Sequence, residues 1–80
     1  MDWKSAKTPK GARLFKVHHF NFLYNGANYV LELDEYGDGT WSGHAESTAD
    51  KNFVIESVSG KDMKDCIEVL IAKIESRAVS

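Results

Sequence analysis

Two glycine turn signals, Asn25-Gly26 and Asp38-Gly39, cut the first half of this 80-residue chain into strand-length segments and constrain the fold more than any other feature. Asn-Gly and Asp-Gly supply the backbone angles that tight turns between antiparallel strands require. Residues 14–24 (LFKVHHFNFLY) are rich in aromatic and β-branched side chains and read as strand one. Its alternation slips, because Phe15 and Val17 share one parity while Phe20, Phe22 and Tyr24 share the other. A β-bulge near the histidines accounts for the slip, and so does burial of both faces. Residues 28–34 alternate cleanly, with Tyr29, Leu31 and Leu33 opposite Asn28, Glu32 and Asp34, and form strand two. Residues 40–46 alternate again, Trp41, Gly43 and Ala45 against Thr40, Ser42, His44 and Glu46. A short fourth strand over residues 52–58 points Phe53 and Ile55 one way, Val54 and Val58 the other.

The pattern then changes period. Ser59-Gly60-Lys61-Asp62 has the form of a capping box, and the helix it opens runs to about residue 76. Met63, Cys66, Ile67, Leu70, Ile71 and Ile74 fall in one stripe at 3.6 residues per turn. Val69 lies outside the stripe, at a surface or dimer contact. The expected fold is therefore α+β: a three- to four-stranded antiparallel meander followed by one C-terminal amphipathic helix packed on one face. Residues 1–12 read as a flexible basic tail and residues 13–80 as a single domain.

Eighty residues leave room for one core only, and 42% hydrophobic with 28% charged residues is ordinary for a chain that folds. The lone Cys66 closes no intramolecular disulfide, which favours a reducing, cytoplasmic setting. No apolar run is long enough for a signal peptide or a membrane span, so no membrane role is expected. Charge is distributed unevenly. Residues 1–16 carry five cations against one carboxylate, while the whole chain is at −2, so an acidic body follows a basic leader.

Several residue groups invite a chemical reading. His18, His19 and His44 are zinc-ligand types, but neighbours in a strand point to opposite faces, and strands one and three are separated by strand two. Cross-strand polar packing fits them better. Asp34, Tyr36, Asp38 and Gly39 partly echo a calcium loop, yet its twelfth position is Ala45 and Asp38-Gly39 is explained as a turn. Cys66 lies on the apolar helix stripe, where a thiol behaves as a small hydrophobe. Glycine-rich phosphate loops, nucleophile elbows and paired-cysteine motifs are absent, so neither enzymatic activity nor a cofactor or metal is expected. Phe15, Phe20, Phe22, Tyr24 and Trp41 could stack on single-stranded nucleic acid, but the sheet is acidic and the aromatics read mainly as core.

The order of elements resembles the HicB-type antitoxins, whose domain has a partly degraded double-stranded-RNA-binding-like fold. The resemblance covers residues 29–75. It is carried by a strand, the acidic glycine turn Leu33-Asp34-Glu35-Tyr36-Gly37-Asp38-Gly39, a second strand, and the helix segment Gly60-Lys61-Asp62-Met63-Lys64-Asp65-Cys66-Ile67-Glu68. That segment looks like the family's Gly-Asp-Thr-Leu-Glu-Glu-Ala-Leu-Glu stretch, although the family's preceding Leu-Pro-Gly-Cys is absent. The resemblance implies a domain that masks a small partner protein, often as a dimer, and it transfers no residue roles.

The functional expectation is a non-catalytic protein-interaction module with an unknown partner protein and a candidate homodimer. Val69, His18, Phe20 and Phe22 are its candidate interface residues. The alternative is a nucleic-acid-binding or regulatory protein that uses strand-one aromatics and an arm carrying Lys4, Lys7, Lys10 and Arg13.

Overall fold

The computed structural model describes residues 2–78. After a short 3-10 turn, Trp3–Ser5, come β1 (Phe15–Tyr24), β2 (Ala27–Tyr36), β3 (Trp41–Ser47), β4 (Val54–Gly60) and α1 (Met63–Ala78). The strands form one antiparallel sheet in the order β1-β2-β3-β4, with α1 packed on one face, the α+β meander expected from the alternation. The first hairpin turns through Asn25 at φ 50° and Gly26 at φ 78°, the positive pair that a two-residue connection requires.

The core lies between sheet and helix. Tyr29, Leu31 and Leu33 of β2, Ala45 of β3 and Ile55 of β4 meet Cys66, Leu70 and Ile74 of α1, all buried. Close approach depends on Gly43, directly opposite Leu33 in the β2–β3 ladder. A Cβ there would lie 2.8 Å from Leu33 Cδ1 and 3.2 Å from Leu70 Cδ1, so the side chain of Leu70 occupies the space that the missing one vacates. Gly60 plays the same part at the helix start, where an added Cβ would meet Cys66 Sγ at 2.9 Å.

Three local readings change. No bulge interrupts β1, which pairs with β2 residue for residue from Phe15↔Tyr36 to Tyr24↔Ala27. The apolar residues of both parities in β1 have another cause: β1 is an edge strand, and neither of its faces is deeply buried. The irregularity sits between β3 and β4, where Gly43 pairs with Val58 and Ala45 with Ile55. The extra residue in β4 brings Val58 to the helix side with Ile55, whereas simple alternation assigns them to opposite faces. The helix cap is also displaced by three residues. Asp62 Oδ1 accepts from Asp65 N at 2.8 Å, and Asp65 Oδ2 accepts from Lys61 N at 3.3 Å, while Ser59 belongs to β4 opposite Ser42. Asp62 is thus the residue that caps, with its own carboxylate rather than as the partner of Ser59.

Gly43→Ala is expected to cost about 1–3 kcal/mol, because Leu33 and Leu70 must both give way to the new methyl group. Denaturant unfolding of the variant beside the wild type measures it, and unchanged stability would show that α1 does not dock on that spot.

Candidate functional site

Helix α1 packs mainly on β4, β3 and β2, so β1 extends past its cover. Residues of β1 opposite the core residues of β2 lie on the helix side: Phe20 faces Leu31 and Phe22 faces Tyr29. Phe22 is half-buried and its ring lies 5.7 Å from that of Tyr24 and 6.3 Å from that of Tyr29. Phe20 is 38% exposed. The alternate residues Phe15, Val17 and Leu23 lie on the other, open face, with Leu23 73% exposed. Among the described residues, the exposed large hydrophobics are Leu14, Phe15, Val17, Phe20, Leu23 and Val54, and all but Val54 belong to β1 or precede it directly.

The free edge of β1 also carries unpaired backbone. Asn28 O accepts from Thr48 N and Tyr36 N donates to Thr40 O, so the even residues of β2 turn their amides toward β3. Odd residues of β2 therefore bond to their β1 partners, which are even. By alternation, the N–H and C=O groups of Phe15, Val17, His19, Asn21 and Leu23 point away from the sheet. The opposite edge, on β4, is engaged at one point. Arg77 Nη1 donates to Val54 O and its guanidinium lies 4.6 Å from the Phe53 ring centre, while the β3–β4 irregularity bends that edge.

Polar side chains on β2 organise the neighbourhood. On the helix side Glu35 is held from two directions, with His18 Nε2 at 3.0 Å and Lys4 Nζ at 2.9 Å. The hydrogen bond from Lys4, followed by that from His18, keeps the Glu35 carboxyl below the usual range. His18 also stacks on Trp41, ring centres 5.5 Å apart, so it is engaged within the fold. On the open face Glu32 receives His19 Nε2 at 3.2 Å and has His44 Nδ1 at 3.7 Å on its other side. Asp34 follows along the same face. Its Oδ1 is buried with no hydrogen-bond partner, and burial, then the neighbouring Glu32, push its carboxyl up. Among the described residues no group of three or more His, Cys, Asp or Glu side chains could hold a metal ion. Asp38 is committed to its turn, accepting from Thr40 N at 3.0 Å and Thr40 Oγ1 at 2.7 Å. Cys66 is buried, and that burial, then Asp65 and Asp62, push its thiol up and away from the reactive thiolate.

The basic arm lies along the body instead of projecting from it. Lys4 pairs with Glu35, and Arg13 is 3.8 Å from Asp38 with its guanidinium 3.9 Å from the Tyr36 ring centre. Trp3, Lys4, Arg13, Tyr36 and Asp38 help line a cleft of about 190 Å³ between arm and hairpin end. Lys7 and Lys10 are exposed and make no ion pair among the described residues. Val69 is half-buried and precedes Lys73 by one helical turn, on the side that lines the groove along β4 with Ser76. The structure thus brings Phe20 and Phe22 together and leaves Val69 on the far side of the helix.

Leu14, Val17 and Leu23 were not evident from sequence as surface residues, and Phe15, named there as a candidate stacking aromatic that reads mainly as core, is exposed. The available signal was that strand one is apolar at both parities, a pattern that burial and edge exposure produce equally. No family model matches the chain, and comparison with curated proteins and with solved structures finds no match. No helix among the described residues is long and apolar enough to cross a membrane.

Asp34→Asn is expected to stabilise the fold at pH 7 by about 0.5–1 kcal/mol, roughly 2–8 °C in Tm, because a neutral amide lacks the charge that burial and Glu32 disfavour. The sign with pH follows from the raised carboxyl. Its ionised form is disfavoured in the fold, so the wild type loses stability as pH rises through the folded pKa, and the variant's advantage shrinks to nothing below the unfolded value near about 4. Thermal melts between pH 3 and pH 8 test it, and a constant difference would refute the assignment. For Lys4→Ala, an NMR titration should show the Glu35 carboxyl moving up toward its ordinary value; no movement would mean that Lys4 does not hold it.

Proposed function

We propose that this chain is a protein-interaction module whose contact element is the free edge of β1. The observation that carries the reading is the confinement of nearly all exposed large apolar side chains to that one strand, on both of its faces. A partner docking on either face alone would leave the other half of them wet. Adding a strand covers both at once and uses the outward amides of the odd residues. The masking role that a HicB-type resemblance implies points the same way. A nucleic-acid reading draws less support, because Lys4 and Arg13 pair with Glu35 and Asp38, and the open face presents Glu32 and Asp34 on the strand next to β1 and Glu46 on the one after it.

Photo-crosslinking in expressing cells tests the reading. Leu23→p-benzoylphenylalanine should give discrete protein adducts that resist nuclease, and the same probe at Glu68, exposed on the helix, should give none. Adducts to nucleic acid, or equal adducts from both positions, would sink it.

A further inference from the structure

Resting on that reading, we propose that the strand added at β1 is the β1 of a second copy, antiparallel about a two-fold axis through Phe20 and normal to the sheet. Two identical edge strands paired antiparallel in one sheet are related by such an axis, and it keeps both helices on the same side. Facing residues then come from the same face, so their numbers must share parity. Because the outward amides belong to the odd residues, only odd residues form the hydrogen-bonded pairs.

Few registers satisfy these conditions over most of the strand, and side chains choose between them. With the axis through Phe20, Val17 faces Leu23 of the second copy, and Phe20 faces Phe20 in a non-hydrogen-bonded pair, the arrangement in which side chains come closest. His19 faces Asn21, and Lys16 faces the Tyr24 ring. Val17 and Leu23 on one face and Phe20 on the other are covered, Leu14 and Phe15 fall just beyond the paired segment, and no cation meets a cation. Moving the axis to His19 pairs Phe15 with Leu23, but it stacks His19 on His19, sets Val17 against Asn21 and puts Phe20 opposite His18, which is already held by Glu35 and Trp41. Moving it to Asn21 shortens the paired segment and opposes His19 to Leu23. The Phe20 register forms about eight backbone hydrogen bonds, two for each of the four odd-residue pairs, and makes a continuous eight-stranded sheet. A foreign strand would also satisfy the amides, but β1 matches itself: its most exposed residue, Leu23, falls opposite an exposed Val17.

The test is sedimentation equilibrium of the purified chain, with variants that read the register. The wild type should sediment at twice its 9.0 kDa mass at about 100 µM, where micromolar association is complete enough to see. A variant carrying Val17→Lys and Leu23→Lys opposes like charges and should weaken association at least tenfold. Val17→Lys with Leu23→Glu opposes unlike charges only in this register and should restore the dimer. Phe20→Cys should give a disulfide-linked dimer under mild oxidation and His19→Cys should not; this readout holds even if the charged variants fold poorly, and Cys66 is buried. A monomeric wild type, or rapid crosslinking through His19→Cys instead of Phe20→Cys, would overturn the proposal. If the wild type is monomeric while the Leu23 probe still captures another protein in cells, the interaction-module reading survives and self-pairing alone falls. If both fail, both are wrong.

Discussion

Helix α1 reaches the middle of the sheet through a gap in the side-chain layer at Gly43, and the rest of the arrangement depends on that approach. Leu70 enters against Leu33 there, with Cys66 and Ile74 buried on either side of it along the helix. An α-helix with its side chains is about 10–12 Å across, whereas four strands at about 4.8 Å spacing need a wider cover. One helix seated over β3 shields β2, β3 and β4. The strand left over is β1, and its side chains extend the core at Phe22 and Tyr24 but are surface at Phe20 and Leu23.

Charge follows the same geometry. β2 has β1 on one side and β3 on the other, so its carboxylates collect histidines from both: Glu32 between His19 and His44, Glu35 beside His18. Lys4 completes the Glu35 group from the arm, and Arg13 lies over Tyr36 and near Asp38. These are exposed or half-exposed pairs, individually weak, and their effect is to lay the arm against the hairpin end. Lys4 and Arg13 are thereby engaged with the body, while Lys7 and Lys10 stay exposed.

Much of this was legible from residues. Clean alternation in β2 and β3, Asn25-Gly26, and the stripe from Met63 to Ile74 are each short-range patterns, and each appears where expected. The elements that shifted depended on longer-range information. The β4 irregularity reverses one parity and cannot be seen in a segment as short as Val54–Gly60, and the cap moved from Ser59 to Asp62 because Ser59 is taken up by pairing with Ser42. In the candidate site, Phe20 and Phe22 could be named from the sequence. Leu14, Val17 and Leu23 could not, since a strand apolar at both parities reads alike whether it is covered on both faces or open on both.

The sequence by itself determined the order of strands and helix, the turn positions and which face of β2, β3 and α1 is apolar, because these follow from backbone sterics and periodicity over a few residues. Tertiary structure alone decided which strand the helix leaves uncovered, where β4 slips, and which carboxylates hold the arm. Those outcomes rest on contacts between residues far apart in the chain, such as Gly43 with Leu70 and Lys4 with Glu35, and no local pattern encodes that distance.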